Sequence, residues 1–265
     1  MLLNNMKSND LTILFLSCDK YSDLWKPLFY CFHTYWPDCP YPLVLGSNTI
    51  RYRDSKIKTL LSGPDKDWSS SLRNILKEIN TKYVFIWLDD IFPIQPVVTK
   101  DFIDALRFLD DHNGVHMHAW PTPKPDRLVT GYKYGEYDRG TPYRANAFGF
   151  WDTAYLRTLL LAGENPWNFE IMGSYRASFT DGFYCCLQTL FHRLHVVEKG
   201  AIFSNAYEYC RNHGIPLDDK SRKIISGNRS IQSELQKIYF NIVMKISWRN
   251  RVNLMNTLRR LIISY

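Results

Sequence analysis

The sequence predicts an α/β domain in which a mostly parallel sheet is flanked by helices. Leu11–Ser17 is a short apolar run bounded by polar residues, as expected of a strand buried on both faces. Residues 24–35 carry apolar side chains at helical spacing, and Leu43–Gly46 follows as a second apolar run after three prolines. A β-α-β opening of this kind is typical of a parallel sheet.

Helical and strand patterns continue to alternate along the chain. Ser69–Asn80 has apolar residues on one helical face and leads into Lys82–Leu88, the most strand-like run of the sequence. Pro121–Tyr143 is rich in Pro, Gly, Tyr and charge, and we expect a flexible excursion there. The other predicted elements are helices over Thr99–Asp110, Thr153–Leu161 and Asp181–Phe191, and strands over Ala147–Trp151 and within Leu194–Phe203.

Composition limits the class of protein. The 265 residues favour one large domain, and 45% hydrophobic with 22% charged residues exclude a disordered chain. The 6 cysteines form no CxxC motif, so we interpret them as reduced and apolar in role. Residues 1–10 contain no apolar run of signal-peptide length, and no segment approaches a membrane span. We therefore expect a cytosolic protein.

The C-terminal region differs in character, and we predict a catalytic domain over residues 1–225 and a basic amphipathic helical tail over residues 226–265. The net charge of +7, from 33 basic and 26 acidic residues, suits nucleic acid, diphosphates or anionic lipid, and much of it lies in the tail. The tail could pack on the domain with its basic side solvated. We favour a tail that lies on the cytosolic face of the cell membrane, as a peripheral attachment.

Asp89 and Asp90 end the strand-like run and are the main candidates for chemistry. In open α/β sheets, ligands bind beyond the carboxyl ends of the strands. Two carboxylates there suit a divalent metal that bridges a diphosphate and neutralises charge on the leaving group. The alternative is that the pair only ends the strand and caps a turn. The apolar strand before it and Ile91–Pro93 after it favour the functional interpretation.

Four stretches occur in an order that is typical of a known family: Leu16–Trp25, Trp68 to Arg73, Trp87–Phe92 and Pro166–Glu170. They resemble bacterial glycosyltransferases of the GT-A fold, which build capsular or lipopolysaccharide glycans. The resemblance covers roughly residues 10–215, most of the size expected of such a domain. It implies a Rossmann-like catalytic domain that uses a nucleotide-sugar donor.

The resemblance also implies roles for individual residues. In that family the loop after the first strand holds the nucleotide, and the acidic motif holds metal and diphosphate. Asp90 is then the favoured ligand of Mn²⁺ or Mg²⁺, although Leu88 stands where the usual motif has its first acid, so a strict metal requirement does not follow. The implied nucleotide or phosphate contacts are Ser17, Asp19, Lys20, Tyr21, Trp68, Arg73 and Asp89.

Two acidic residues compete for the role of general base. Glu170 follows Trp167 and Phe169, and burial beside aromatic rings would raise its pKa and improve it as a base. Its alternative is a glutamate on the rim of a turn set by Pro166. Asp181 is the second candidate, with a helix cap as its alternative.

Histidines and aromatic residues complete the set of candidates. His213 could complete a metal site, because C-terminal loops of this fold often reach back over the diphosphate, whereas His195 is interpreted as structural. Aromatic faces can stack on sugars, so residues in or beside the excursion could contact an acceptor: Trp120, Tyr132, Tyr134 and Tyr137.

The sequence therefore predicts an inverting glycosyltransferase that moves a hexose or N-acetylhexosamine from a nucleotide-sugar, with UDP expected, to a surface-glycan or lipid-linked acceptor. The alternative from another class is a nucleic-acid-binding module, supported by the net charge and the aromatic residues. Basic residues cluster in the tail while acids mark the site, so we expect no nucleic-acid partner. Loop motifs of nucleoside triphosphatases, dinucleotide enzymes and serine hydrolases are absent from the sequence.

Overall fold

The computed structural model describes residues 10–218, 221–226, 238, 241–242 and 245–262. Short strands in this part of the chain form one large sheet and two small ones. In chain order the strands are β1 (Leu11–Leu16), β2 (Leu43–Ser47), β3 (Ile57–Leu61), β4 (Tyr83–Leu88), β5 (Ile91–Pro93), β6 (His116–His118), β7 (Arg127–Leu128), β8 (Tyr134–Glu136), β9 (Gly149–Asp152), β10 (Phe183–Cys186), β11 (Arg193–His195), β12 (Val197–Glu198), β13 (Ala201–Phe203) and β14 (Ile224–Ile225).

The large sheet has nine strands in the order β3-β2-β1-β4-β9-β6-β10-β8-β7. β9 is antiparallel to both of its neighbours, and β8 is antiparallel to β10 and β7. The other strands of this sheet all run in one direction. The prediction of an α/β fold with a mostly parallel sheet is therefore confirmed. β5 pairs with β11 in a separate two-stranded sheet, and β12, β13 and β14 form a third.

Helices cover both faces of the large sheet. They are α1 (Trp25–Tyr35), α2 (Trp68–Leu76), α3 (Thr99–Asp111), α4 (Thr153–Leu159), α5 (Ser204–Asn212) and α6 (Trp248–Ile262). Between α4 and β10 lies the 166–179 segment, which consists of the consecutive short helical turns Pro166–Asn168, Phe169–Gly173, Ser174–Arg176 and Ala177–Phe179. A 3₁₀ turn over Asp19–Leu24 leads from β1 into α1.

The core lies in two layers because strand side chains alternate between the faces of the sheet. In β1, Phe15 packs with α1 and α3, whereas Leu14 packs with α2 and α4. In β4, Trp87 and Ile86 divide between the same two layers. Such burial on both faces explains why these strands are continuous apolar runs in the sequence.

The predicted helix over Asp181–Phe191 is wrong, because this stretch contains β10. Phe183–Cys186 is completely buried between β6 and β8 in the large sheet. Gly182, with φ of 85°, precedes the strand, and its carbonyl accepts hydrogen bonds from the amides of Val115 and His116. A short apolar run buried on both faces has no period that separates strand from helix.

The excursion predicted over Pro121–Tyr143 is more ordered than expected, because it adds β7 and β8 to the large sheet. Both strands are too short to give an alternating pattern in the sequence. Tyr134 and Tyr137 are buried, and the Tyr137 hydroxyl donates to the carbonyl of Pro123 at 2.7 Å. These two residues therefore serve the core, whereas Tyr132 is exposed.

The helix α6 packs against the excursion. The Arg251 guanidinium is buried; its Nη2 lies 3.4 Å from a carboxylate oxygen of Asp126, and its Nε donates to the carbonyl of Ile246 at 2.7 Å. Val252 is also buried, and the Tyr175 hydroxyl bonds to the side chain of Asn256. Most of the tail before α6 lies outside the described residues, and the predicted boundary after residue 225 stays a prediction. Within the described residues, no helix combines the length and apolarity needed to cross a bilayer.

Gly149, at the start of β9, is a position where we expect a substitution to destabilise the fold. Its φ is 129°, and a Cβ there would lie 2.4 Å from the carbonyl oxygen of Met117. Gly149→Ala should lower the free energy of unfolding by about 2–4 kcal/mol, measured by urea denaturation. Gly163→Ala is the matched control: φ is 88° with nothing within 4 Å, so only the backbone cost of about 1 kcal/mol is expected. Equal losses in both variants would contradict this reasoning.

Candidate functional site

An open cleft of about 550 Å³ lies beyond the carboxyl ends of β1 and β4. This is the edge at which open α/β sheets bind ligands. The loops after β1 and β4 form one side, the 166–179 segment another, and the chain from β11 to the turn after β12 a third. The polar or aromatic side chains that line it belong to Ser17, Tyr21, Trp68, Asp89, Asp90, Trp120, Asn146, Phe148, Trp167, Glu170, Arg193, His195, Glu198 and Lys199.

Asp89 is the buried member of the acidic pair, with 8% of its surface exposed. The Ser17 hydroxyl donates a hydrogen bond to Asp89 Oδ2. Ser17 in turn accepts a 2.7 Å bond from the indole N–H of Trp25, at the start of α1. Burial, and then the charge of Asp90, raises the pKa of Asp89 well above its ordinary value. The pair therefore resists holding two full charges, and a cation in the cleft would stabilise its ionised form.

Asp90 faces the other side of the cleft. Its Oδ2 lies 3.1 Å from Nε2 of His195, and its backbone carbonyl accepts a 2.8 Å bond from the amide of Val196. These contacts exist because β5 follows Asp90 directly and pairs with β11, which ends at His195. Burial favours neutral His195, but the bond to Asp90 and the charge of Asp90 outweigh it and raise the pKa of His195.

The acidic pair fits a divalent cation only as a site shared with a ligand. Asp90 Oδ1 is buried and has no hydrogen-bond partner among the described residues, so it is a free hard-oxygen ligand. The part of the chain that the structure describes contains no group of three or more His, Cys, Asp or Glu that could hold a metal alone. Mg²⁺ is commonly bound by one or two carboxylates together with substrate phosphates. The donor set of Asp90 and Asp89 matches that arrangement.

Glu170 lies across the cleft on the 166–179 segment. Phe169 beside it is completely buried and packs against Trp68 and Trp151, which fixes the backbone at this point. Phe169–Gly173 is a π-helical turn, a local irregularity that is frequent at functional sites. Burial raises the pKa of Glu170 to about 7, and the only opposing interaction is a 3.4 Å bond from the amide of Ala147. Glu170 can therefore exchange a proton near neutral pH.

Five predicted site residues do not line the cleft, and three of them, Asp181, Arg73 and His213, have partners far from the loop after β1. Asp181 is exposed and forms an ion pair with Arg139, whose hydrogen bond lowers the pKa of Asp181. Arg73 donates to the carbonyl of Leu160 and so joins α2 to the end of α4. His213 Nδ1 donates a 2.9 Å bond to the carbonyl of Tyr209, and the His213 ring stacks on that tyrosine. The structure does not bring these residues to the acidic pair.

Of the contacts predicted in the loop after β1, some line the cleft and others lie outside it. Ser17 and Tyr21 line the cleft, and Trp68, from α2, does so as well. The Asp19 carboxylate instead accepts bonds from the backbone amides of residues 48–50 and from the Thr49 hydroxyl, so it joins the loops after β1 and β2. Lys20 is exposed, and its carbonyl accepts a 3.0 Å bond from Arg222. Asp19 therefore shapes the loop from outside the cleft.

Sequence reasoning missed some residues that line the cleft. His195 was interpreted as structural because it seemed to end a helix, and Arg193 and Asn146 carried no motif. The pairing of β5 with β11, a contact between segments about 100 residues apart, brings His195 to Asp90 and Arg193 to the cleft. A short apolar strand directly after Asp90 was the one available signal. Trp120 does line the cleft, as the stacking hypothesis requires.

No protein-family model matches the chain, and no curated protein matches it in sequence. It is similar in structure to S. aureus TarS 1-349 in complex with UDP, with TM-score 0.47 and 12% identity over 92% of this chain and 75% of that one. A galactosyltransferase, LgtC, in complex with donor and acceptor sugar analogs has TM-score 0.41 and 10% identity, over 91% and 99% of the two chains.

Another similar structure is a cytidylyltransferase from Leptospira borgpetersenii, with TM-score 0.41 and 8% identity over 80% of this chain and 98% of that one. The match to a longer TarS structure covers 44% of that chain. All of these TM-scores lie below 0.5. The similarities therefore do not assign a function to this chain, which has to be inferred from its own site.

Replacing Glu170 should change how stability depends on pH. Its pKa is about 7 in the fold against an ordinary 4.5, so the stability from the neutral carboxyl is complete below about 4.5 and is lost as pH rises through about 7. Glu170→Gln removes this loss. We expect the free energy of unfolding of the variant, relative to the wild type, to increase by about 1–3 kcal/mol between pH 5 and pH 8 in urea denaturation. The exposed Glu78→Gln is the control, and identical pH dependence in Glu170→Gln and wild type would refute the buried environment.

Proposed function

We propose that this chain is a nucleotide-sugar-dependent glycosyltransferase of the GT-A type. The observation that carries the proposal is one cleft at the carboxyl edge of the sheet that contains an acidic pair, whose Asp89 is buried, and a separate glutamate with a pKa of about 7. Group transfer from a diphosphate needs both charge neutralisation at the leaving group and a base for the acceptor. The two sets of carboxyl groups have environments suited to these two tasks.

The donor would lie over the loops after β1 and β4. Asp90, with Asp89 beside it, would hold Mn²⁺ or Mg²⁺ together with the diphosphate, and the cation would neutralise charge on the departing nucleoside diphosphate. His195 and Lys199 line the same cleft and offer positive charge from the protein itself. Tyr21 and Trp68 offer aromatic surface for the base or the sugar. We take UDP as the nucleotide and a hexose or N-acetylhexosamine as the transferred sugar.

Glu170 would act as the general base of an inverting transfer. Its carboxylate accepts the proton of an acceptor hydroxyl while that oxygen forms a bond to the anomeric carbon and the bond to the diphosphate breaks. A base with a pKa near 7 is well matched to neutral pH, because about half of it is unprotonated there and it is basic enough to take the proton. Trp167, which is 60% exposed at the rim of the cleft, would stack on the acceptor sugar.

The acceptor in this proposal is a surface glycan or a lipid-linked sugar, reached from the cytosolic face of the cell membrane. In the described part of the tail, apolar Ile242 and Leu254 are exposed and accompany the exposed basic residues Lys245 and Arg249. Exposed apolar residues next to basic ones suit an anionic lipid surface. Arg251 does not contribute to this surface, because it is buried beside Asp126.

Substitutions of Glu170 and of Asp90 should affect turnover and donor binding separately. We expect Glu170→Gln to lower turnover by about 10²–10⁴-fold with little change in donor affinity, because the base acts on the acceptor. Asp90→Asn should instead weaken donor binding by about tenfold or more in the presence of Mn²⁺. Nucleotide-sugars are screened by thermal shift and by release of nucleoside diphosphate.

Asp181→Asn is the control for this pair of variants, since Asp181 lies outside the cleft and should leave both quantities unchanged. If no nucleotide-sugar stabilises or reacts with the wild-type chain, the proposal fails. Release of inorganic diphosphate from a nucleoside triphosphate would also contradict it, because that product marks a nucleotidyltransferase.

The pH profile of the reaction should follow Glu170. The free carboxyl has a pKa of about 7 and must be unprotonated to act as a base, so kcat/KM should increase with pH and level off above about 7. The residual activity of Glu170→Gln should lack this increase, whereas Asp181→Asn should keep it. A wild-type profile that is flat from pH 5 to pH 8 would exclude Glu170 as the base.

A further inference from the structure

Arg193 and Trp120 form a stacked pair that lines the cleft. The guanidinium carbon of Arg193 lies 3.5 Å from the centre of the Trp120 ring, and both side chains line the cleft. Trp120 is itself held by Phe148, with ring centroids 4.6 Å apart. The guanidinium plane is therefore fixed in place before any ligand binds.

Arg193 differs from the other enclosed arginines of the described chain in what surrounds it. Arg176 and Arg222 each form an ion pair with a carboxylate. The buried Arg144 donates to the carbonyls of Asp138, Ala177 and Thr180. Arg193 has no carboxylate of the described residues within 4.0 Å, and its one hydrogen bond to a side chain is a 3.3 Å contact with the Thr189 hydroxyl.

Burial of Arg193 lowers its pKa, and no neighbouring carboxylate counteracts this. A partly desolvated cation without a counter-ion is costly unless a ligand supplies the negative charge. The planar guanidinium can bind a carboxylate or a phosphate through two parallel hydrogen bonds. The stacked pair is thus built for an anion that the protein itself does not provide.

The place of this pair along β11 separates it from the diphosphate. Arg193 and His195 lie two residues apart on one strand, so they point to the same side and are roughly 7 Å apart. His195 contacts Asp90, which marks the proposed diphosphate position. Arg193 is therefore within reach of a charged substituent on a sugar that binds next to the diphosphate in the same cleft.

We propose that Arg193 and Trp120 form an anion subsite that selects a sugar substrate carrying a carboxylate or phosphate, either the transferred sugar or the acceptor. This inference rests on the proposed function, because it places the subsite relative to the donor. The subsite adds a requirement for a negatively charged sugar, which does not follow from the fold class. The guanidinium forms the charged contact, and Trp120 holds it in plane and offers its own face to the sugar ring.

Paired ligands that differ only in charge test the subsite. Affinities of UDP-glucose and UDP-glucuronate are compared for the transferred sugar, and those of glucose and glucose 6-phosphate, with UDP present, for the acceptor. In at least one pair, the wild-type chain should prefer the anionic member by about tenfold or more, and Arg193→Gln should abolish that preference. Arg193→Lys should keep part of it, since the charge remains but the planar stack is lost.

Arg107→Gln is the matched control, because Arg107 is exposed on α3 and its replacement removes the same charge outside the cleft. A wild-type chain without preference for the anionic member in both pairs would overturn the inference. So would an equal loss of UDP and UDP-glucuronate affinity in Arg193→Gln, which would place the arginine on the diphosphate. Binding of UDP, GDP and CDP to the wild type tests the proposed function separately, since a free nucleotide has no sugar for the subsite to select.

Discussion

The placement of two adjacent carboxyl groups at the end of one strand, with one of the two buried, is the constraint on which the site depends. Asp89 is almost completely removed from solvent, so its carboxyl group depends on the hydrogen bond that the Ser17 hydroxyl donates. Ser17 in turn accepts a bond from the indole N–H of Trp25. Asp90 contacts the His195 ring, which the pairing of β5 with β11 brings beside it. The position of α1 and of the chain after β10 is therefore tied to the electrostatics of this one dipeptide.

Glu170 has a different environment, and this difference gives the cleft two kinds of carboxyl group. Among the described residues Glu170 has no ion-pair partner and accepts a 3.4 Å bond from the backbone amide of Ala147, and burial raises its pKa. Asp90 retains a partner in His195 and an unpaired oxygen. A site that must both hold a diphosphate and accept a proton needs such unequal acids, because a single environment cannot favour both ionisation and proton uptake.

Much of the fold could be predicted because its central strands are buried on both faces and appear as continuous apolar runs. β1 and β4 and their helices followed directly from such runs, and so did the position of the acidic pair. β10 was mistaken for a helix, because Phe183–Cys186 is equally apolar on both faces. The edge strands β3 and β7 and the neighbouring β8 were not predicted. β7 and β8 are too short to show a pattern, and β8 joins the sheet through β10, about 50 residues further along the chain.

The candidate site was predictable where a local feature of the sequence marks a residue, such as a strand end or aromatic neighbours. Ser17 and Asp89 satisfy that condition, and Glu170 was identified through its aromatic neighbours. Arg193 and His195 depend on a two-stranded sheet whose partners are about 100 residues apart, a contact that local pattern cannot reveal. Arg73 was assigned from the resemblance and Asp181 from its place at the start of a predicted helix, but a capping contact and an ion pair direct them elsewhere.

The attachment of α6 to the body of the protein has a mechanical consequence. Its buried arginine is fixed to the β7–β8 region through Asp126, and Asn256 bonds to Tyr175 on the same segment that carries Glu170. A helix attached at two such points cannot move independently of the rest of the domain. A surface that bound α6 would therefore also fix the orientation of the cleft. The opening of the cleft would then face that surface at one angle.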